Sequence, residues 1–154
     1  MKFKGNIIIT DPCYICKEDS DDWAKCCCGE NMEALGIHTY ICRDTLYGDW
    51  SCTTYNSDTK EKLGEFCADA GLVAVFLLDE VLKYNPDFKL HITNPWTTTL
   101  IKDFDGEVCF EIIETEGVYE KDTKFWKKGD KWVDRSVSVV GKGNINFETH
   151  QTGF

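Results

Sequence analysis

Short runs that alternate in period two, each cut by a turn-forming pair, recur along this chain and restrict it to a β-rich fold. In "IHTYICRD", Ile37, Thr39 and Ile41 fall on one side and His38, Tyr40 and Cys42 on the other, the spacing of a strand with two different faces. "TTTLIKDF" and "EVCFEIIE" repeat the pattern on either side of Asp105-Gly106, a pair suited to a type I′ hairpin turn. The spacing therefore predicts a strand over 5–10 ended by Asp11-Pro12, since proline lacks the ladder donor. It further predicts a β-hairpin over 37–56 closed around Gly48-Asp49 and a hairpin at Asp105-Gly106. Another hairpin is expected in "KFWKKGDKWVDRSVSVV" around Gly129-Asp130, and a last short strand in "GKGNINFETHQTGF". Helical signals are fewer. Asp19 or Ser20 can cap a helix reaching towards Leu35, and "LLDEVLKY", after a strand ending near Val75 or Phe76, forms a short helix that stops at Asn85-Pro86. The expectation is one mainly β (α+β) domain over 1–154, an antiparallel sheet or barrel-like body with one or two short helices.

Charge narrows the partners. The 154 residues carry 27 acidic against 17 basic side chains, a formal charge of −10. Such a surface repels phosphate backbones, so nucleic acid is not expected as a partner. It could instead attract a basic protein face or imitate a polyanion. The longest uncharged apolar run, "AGLVAVFLL" at 70–78, is about half of what a membrane-spanning helix needs. The start "MKFKGNIIITDP" lacks the apolar core of a signal peptide. The sequence reading is thus of a cytoplasmic protein without membrane contact.

The nine cysteines (13, 16, 26, 27, 28, 42, 52, 67 and 109) do not read as a disulfide framework, being odd in number and without an export signal. Cys42, Cys52, Cys67 and Cys109 lie in strand-like stretches, where a thiol serves as a small buried hydrophobe. Cys13 and Cys16 have zinc-knuckle spacing, and Cys26 or Cys28 could complete a structural zinc site. Consecutive cysteines make a poor second pair, so no cofactor is the primary expectation. Cys13 is also the nucleophile to consider, with His38 as its base, although neither lies in a catalytic signature. Asp11-Pro12, Gly48-Asp49 and Asp69-Ala70-Gly71 each set a carboxylate at a strand end. If those turns gather at one rim, Asp11, Cys13, Tyr14, Asp49, Trp50 and Asp69 form a ligand site; otherwise each aspartate only ties down its own turn. Trp50, Tyr55, Trp96, Phe104, Phe110, Phe125, Trp126 and Trp132 read as core or as a stacking platform.

"ITDPCYI", "YGDW", "FCADAGLVAVF" and "GNINFETHQTGF" resemble a pattern in small uncharacterised bacteriophage and bacterial proteins, with Asp-Pro-Cys-Tyr after a first strand and Asp-Ala-Gly or Asp-Ser-Gly before an apolar run. Asp11 to Tyr14 match the first motif and Asp69 to Gly71 the second; "KCCCGENMEALG" lies outside it. The resemblance implies a phage or prophage accessory protein in the bacterial cytoplasm. Three readings follow: a non-enzymatic binder of a host or phage protein, in a counter-defence setting; a small-ligand binder sequestering a nucleotide signal, for which Arg43 and Arg135 are the only arginines; or a metal-dependent or cysteine hydrolase.

Overall fold

The computed structural model describes residues 1–17, 21–22, 36–42, 50–69, 71–92, 94 and 96–153. The chain is mainly β. Its strands are β1 (Lys2–Thr10), β2 (Thr39–Cys42), β3 (Trp50–Asn56), β4 (Lys62–Ala68), β5 (Val73–Leu77), β6 (Thr98–Val118), β7 (Lys131–Gly143) and β8 (Phe147–Gly153). Two short helices, α1 (Leu78–Tyr84) and α2 (Lys89–Ile92), and two 3-10 turns, Pro12–Tyr14 and Pro86–Phe88, complete the described elements. The strands form one antiparallel sheet in the order β2-β5-β1-β6-β7-β8-β3-β4.

Connection length forces that sheet to curl. β4 and β5 lie six strand spacings apart, roughly 29 Å if the sheet were flat. Only residues 69–72 join them, and so short a segment reaches about 17 Å at most. The two ends of the sheet must therefore approach each other. Gly64 of β4 accordingly sits so close to β6 that a Cβ there would lie 3.1 Å from the Thr99 side chain. The Thr54 and Thr99 hydroxyls share a buried hydrogen bond of 3.1 Å across the interior. All eight strands send side chains into this barrel-like interior, among them Ile7, Ile9, Cys42, Trp50, Phe66, Val75, Phe104, Val139 and Phe147.

The Ile7-Ile8-Ile9 run is apolar without alternation because β1 is covered on both faces. Ile7 and Ile9 point into the interior, while Ile8 packs outside with Ala74 and Phe76 beneath Val81 and Phe88. Truncating a fully buried isoleucine of this kind to alanine costs about 2–5 kcal/mol.

Several expected elements differ. The hairpin over 37–56 does not form, since β2 pairs with β5 and β3 pairs with β4 and β8. The 64–77 stretch is two strands separated by a turn in which Gly71 has φ +80°. Asp105-Gly106 is not a hairpin turn: β6 runs through it unbroken, with Gly106 opposite Phe3 on one side and Gly143 on the other. A Cβ on Gly106 would meet the Lys142 carbonyl oxygen at 2.3 Å, so this glycine permits close backbone approach rather than a reversal. The turn at Gly129-Asp130 does form, but its outgoing arm is β6, and Lys124–Lys128 lie in the connecting loop. The α1 helix ends ahead of Asn85-Pro86 as expected. The helix expected from Asp19 to Leu35 falls almost entirely outside the described residues.

Candidate functional site

Antiparallel pairing of β1 with β5 sets Thr10 opposite Ala74, which brings the turn after β1 against the turn before β5. Asp11 is fully buried there. One carboxylate oxygen accepts from the Cys13 backbone N–H at 2.9 Å and the other from the Leu72 N–H at 3.4 Å. Asp11 thus caps its own 3-10 turn and ties it to the 69–72 turn. A carboxylate so enclosed stabilises the corner and is not presented to a ligand.

Beside it, the Tyr14 hydroxyl donates to the exposed carboxylate of Asp69. Burial and then this hydrogen bond push the Tyr14 phenol above its ordinary range, so it is held protonated as a donor rather than available as a base. The Tyr14 ring lies 5.2 Å from His91, which in turn lies 5.5 Å from Phe88. Burial lowers the His91 pKa, favouring the neutral ring. Cys13, Tyr14, Cys16, Lys17, Phe88 and His91, with Asn85 to Asp87 and Leu90, line an open cleft of about 680 Å³. The Lys17 ammonium lies 4.8 Å from the centre of the Tyr84 ring.

Of the six residues expected at a ligand site, Asp11, Cys13, Tyr14 and Asp69 meet at this corner. Trp50 does not join them as a surface residue. Its ring is buried against Phe66 at 6.0 Å, and its indole N–H has no partner among the described residues. Asp49 lies outside the described residues, as do Cys26 and Cys28. Among the described residues no cluster of three or more His, Cys, Asp or Glu is arranged to hold a metal. The Cys13–His38 pair is not assembled. The His38 Nε2–H donates to the Lys2 carbonyl at 3.1 Å and the ring packs on Phe3, at the opposite end of β1 from Cys13. Eight residue steps of strand, about 26 Å, separate those ends. Cys42 and Cys52 are buried as expected, but Cys67 is only partly so and Cys109 is exposed. Burial raises the Cys52 thiol to about 12, which suppresses thiolate chemistry there.

No protein family matches this chain, and no curated protein or solved structure does either. The geometry therefore stands by itself.

Phe88, Leu90, His91 and Lys17 also line the cleft, and no motif in the sequence marks them for it. The only signal was Asn85-Pro86, read as a helix stop. Asn85 does more than stop α1: its side-chain amide donates to the Ile15 carbonyl at 2.9 Å and fixes the two walls of the cleft together.

A second feature lies away from this corner. β1 leaves β6 at Glu107, and the ladder of β6 with β7 continues to Val118 and Lys131. The outer part of this hairpin is an exposed two-stranded arm. Ten large hydrophobic residues are exposed among the described residues; apart from Met1, Leu90 and Trp96, all seven others (Ile112, Ile113, Val118, Phe125, Trp126, Trp132 and Val133) lie on the arm. Register places Ile113 and Trp132 on one face, and Ile112, Val118 and Val133 on the other. No helix among the described residues is long and apolar enough to cross a membrane.

Proposed function

We propose that this chain is a non-enzymatic phage or prophage accessory protein that binds a host or phage protein, with the shaft of the β6–β7 arm as its binding element. The concentration of exposed apolar side chains on that arm carries the reading, because contiguous exposed apolar surface marks interaction sites. Both faces of the shaft carry such residues, so turning one face to the body would still leave the other bare. The Glu114–Arg135 cross-strand ion pair, with N···O distances of 3.2 and 2.8 Å, supports the ribbon from within. A counter-defence role is the setting that the resemblance suggests.

Immobilised protein is expected to retain a specific protein from bacterial lysate, and an Ile113→Asp/Val118→Asp variant of unchanged thermal stability is expected to lose it. Recovery of nothing above control, or equal recovery by the variant, overturns this reading.

The corner cleft supports a second reading, a small-ligand binder. Its volume of about 680 Å³ and its Tyr14–His91–Phe88 aromatic wall suit a planar ligand, with Lys17 as the nearby cation. Calorimetry against a panel of nucleotides tests it, and flat titrations throughout would remove it.

A further inference from the structure

The loop at the end of the arm differs in charge from everything around it. The loop 119–130 and the adjoining Lys131, the first residue of β7, hold five lysines (121, 124, 127, 128 and 131) against Glu120, Asp122 and Asp130, a net +2 that leaves −12 on the rest of a chain of −10. Two of its three acids are engaged by the loop's own backbone. Asp122 accepts from the Lys128 N–H at 2.8 Å and Asp130 from the Lys127 N–H at 2.9 Å. Further bonds, Thr123 N–H to the Trp126 carbonyl at 2.7 Å and Tyr119 N–H to the Asp130 carbonyl at 2.9 Å, close the loop. The Tyr119 and Trp126 rings stack at 5.3 Å. Phe125 is left 77% exposed at the tip, with the Lys124 ammonium 5.5 Å from its ring centre. The result is a preformed loop with an exposed apolar point in a lysine-rich segment.

We propose that this tip docks on an anionic phospholipid bilayer, with Phe125 and Trp126 entering the interface and the lysines facing the headgroups. Aromatic rings and lysine stems are suited to that boundary, being apolar along the body and polar or charged at the end. The absence of arginine from the tip favours a charged plane over a partner with placed carboxylates, because lysine acts as a mobile, strongly hydrated point charge without a bidentate fork. The acidic remainder does not oppose the contact. The shaft carries only Glu114, Glu116 and Asp134 against Arg135, a net −2. Its span of about 20 Å from Ile112 to Val118 holds the rest of the negative charge about two and a half Debye lengths away at physiological salt. A polynucleotide is the less suitable occupant, because it would run along the tip and towards the acidic shaft and body. From the sequence no membrane contact is expected, on the ground that no apolar run is long enough to span; a peripheral contact needs no such run. It is independent of the protein-binding shaft.

The test is co-sedimentation of the whole protein with vesicles of equimolar phosphatidylcholine and phosphatidylglycerol, and with phosphatidylcholine alone. Binding is expected on the anionic vesicles only, weakening as salt rises, and falling about tenfold or more in Lys127→Glu/Lys128→Glu. Phe125→Ala should weaken it too, and the blue shift of tryptophan emission on binding should diminish in Trp126→Phe. These side chains are exposed, and the melting curve of each variant checks that it folds. Ile113→Asp/Val118→Asp should keep vesicle binding while losing the protein partner, which separates the two proposals. The lipid assignment is overturned if the protein stays in the supernatant with anionic vesicles, or if the tip variants bind as the parent does. It is also overturned if the tip binds a single-stranded oligonucleotide more tightly than the vesicles.

Discussion

At the scale of single residues, the corner after β1 separates a structural carboxylate from chemistry that remains accessible. Asp11 satisfies two backbone donors while fully buried. Replacing it with alanine leaves both unpaired, so Asp11→Ala should lower the unfolding free energy by about 2–4 kcal/mol, read as the shift of a urea transition. Asp11→Asn should cost less, as its amide oxygen can keep the Cys13 bond. An Asp11→Ala variant of parental stability would contradict the capping role. His91 provides the pH handle. Burial lowers its pKa in the folded state, so as pH falls the unfolded chain takes up the proton first, near the ordinary value of about 6.5. The contribution of neutral His91 is therefore complete above that value and is lost as pH falls through it towards the folded value. Melting temperatures of His91→Gln should fall less steeply on acidification than those of the parent; parallel curves would show that this ring contributes nothing. The Asp-Pro-Cys-Tyr motif already pointed to Asp11 as a turn residue and to a corner containing Tyr14. It could not point to His91, which reaches the corner through a 3-10 turn and the four-residue α2 whose sequence has no period of its own.

At the scale of elements, period-two patterning located most of the β segments but not their partners. Alternation reports that a strand has two faces and says nothing about which neighbour supplies the hydrogen bonds. Thus β2 and β3 read as a hairpin from proximity in sequence, although they lie at and near opposite ends of the sheet order. Asp105-Gly106 misled for a different reason: glycine serves both tight turns and close backbone approach, and the dipeptide cannot distinguish them. The structure makes the distinction measurable. At Gly106 a methyl group would meet backbone of β7 at 2.3 Å for the Lys142 oxygen and 2.7 Å for the Gly143 Cα. Neither atom is the end of a flexible side chain, so strands β6 and β7 must separate locally. Gly106→Ala should destabilise by about 3 kcal/mol, measured by urea unfolding. Protection of amides against hydrogen exchange should fall on both sides of the site, in β1 and in β7, because Gly106 faces strands on both edges. A loss confined to residues next to 106 would instead be the signature of a turn.

At the scale of the whole molecule, the curled body and the projecting arm answer to different constraints. The body's interior draws on every strand, yet its contribution from the arm ends at Val137 and Val139 on β7 and at Val108, with Phe110 packed alongside, on β6. Beyond the Ile112–Val137 pair the ribbon adds no residue to either core cluster. An isolated two-stranded ribbon is marginally stable in water, so retaining one that displays aromatic and branched side chains costs solubility without strengthening the body. Replacing residues 113–136 by an Asn-Gly turn should therefore leave the cooperative unfolding of the body nearly unchanged, with a shift in melting temperature of about 5 °C or less. It should also abolish retention of the protein partner and sedimentation with anionic vesicles. If instead the shortened chain fails to fold, while Ile113→Asp/Val118→Asp folds normally, the arm is a structural support of the sheet. The exposed side chains would then need another explanation. If it folds and keeps both binding activities, recognition belongs elsewhere, and the Tyr14–His91 cleft becomes the surface to test, because polar and aromatic groups from distant parts of the chain converge there on open space.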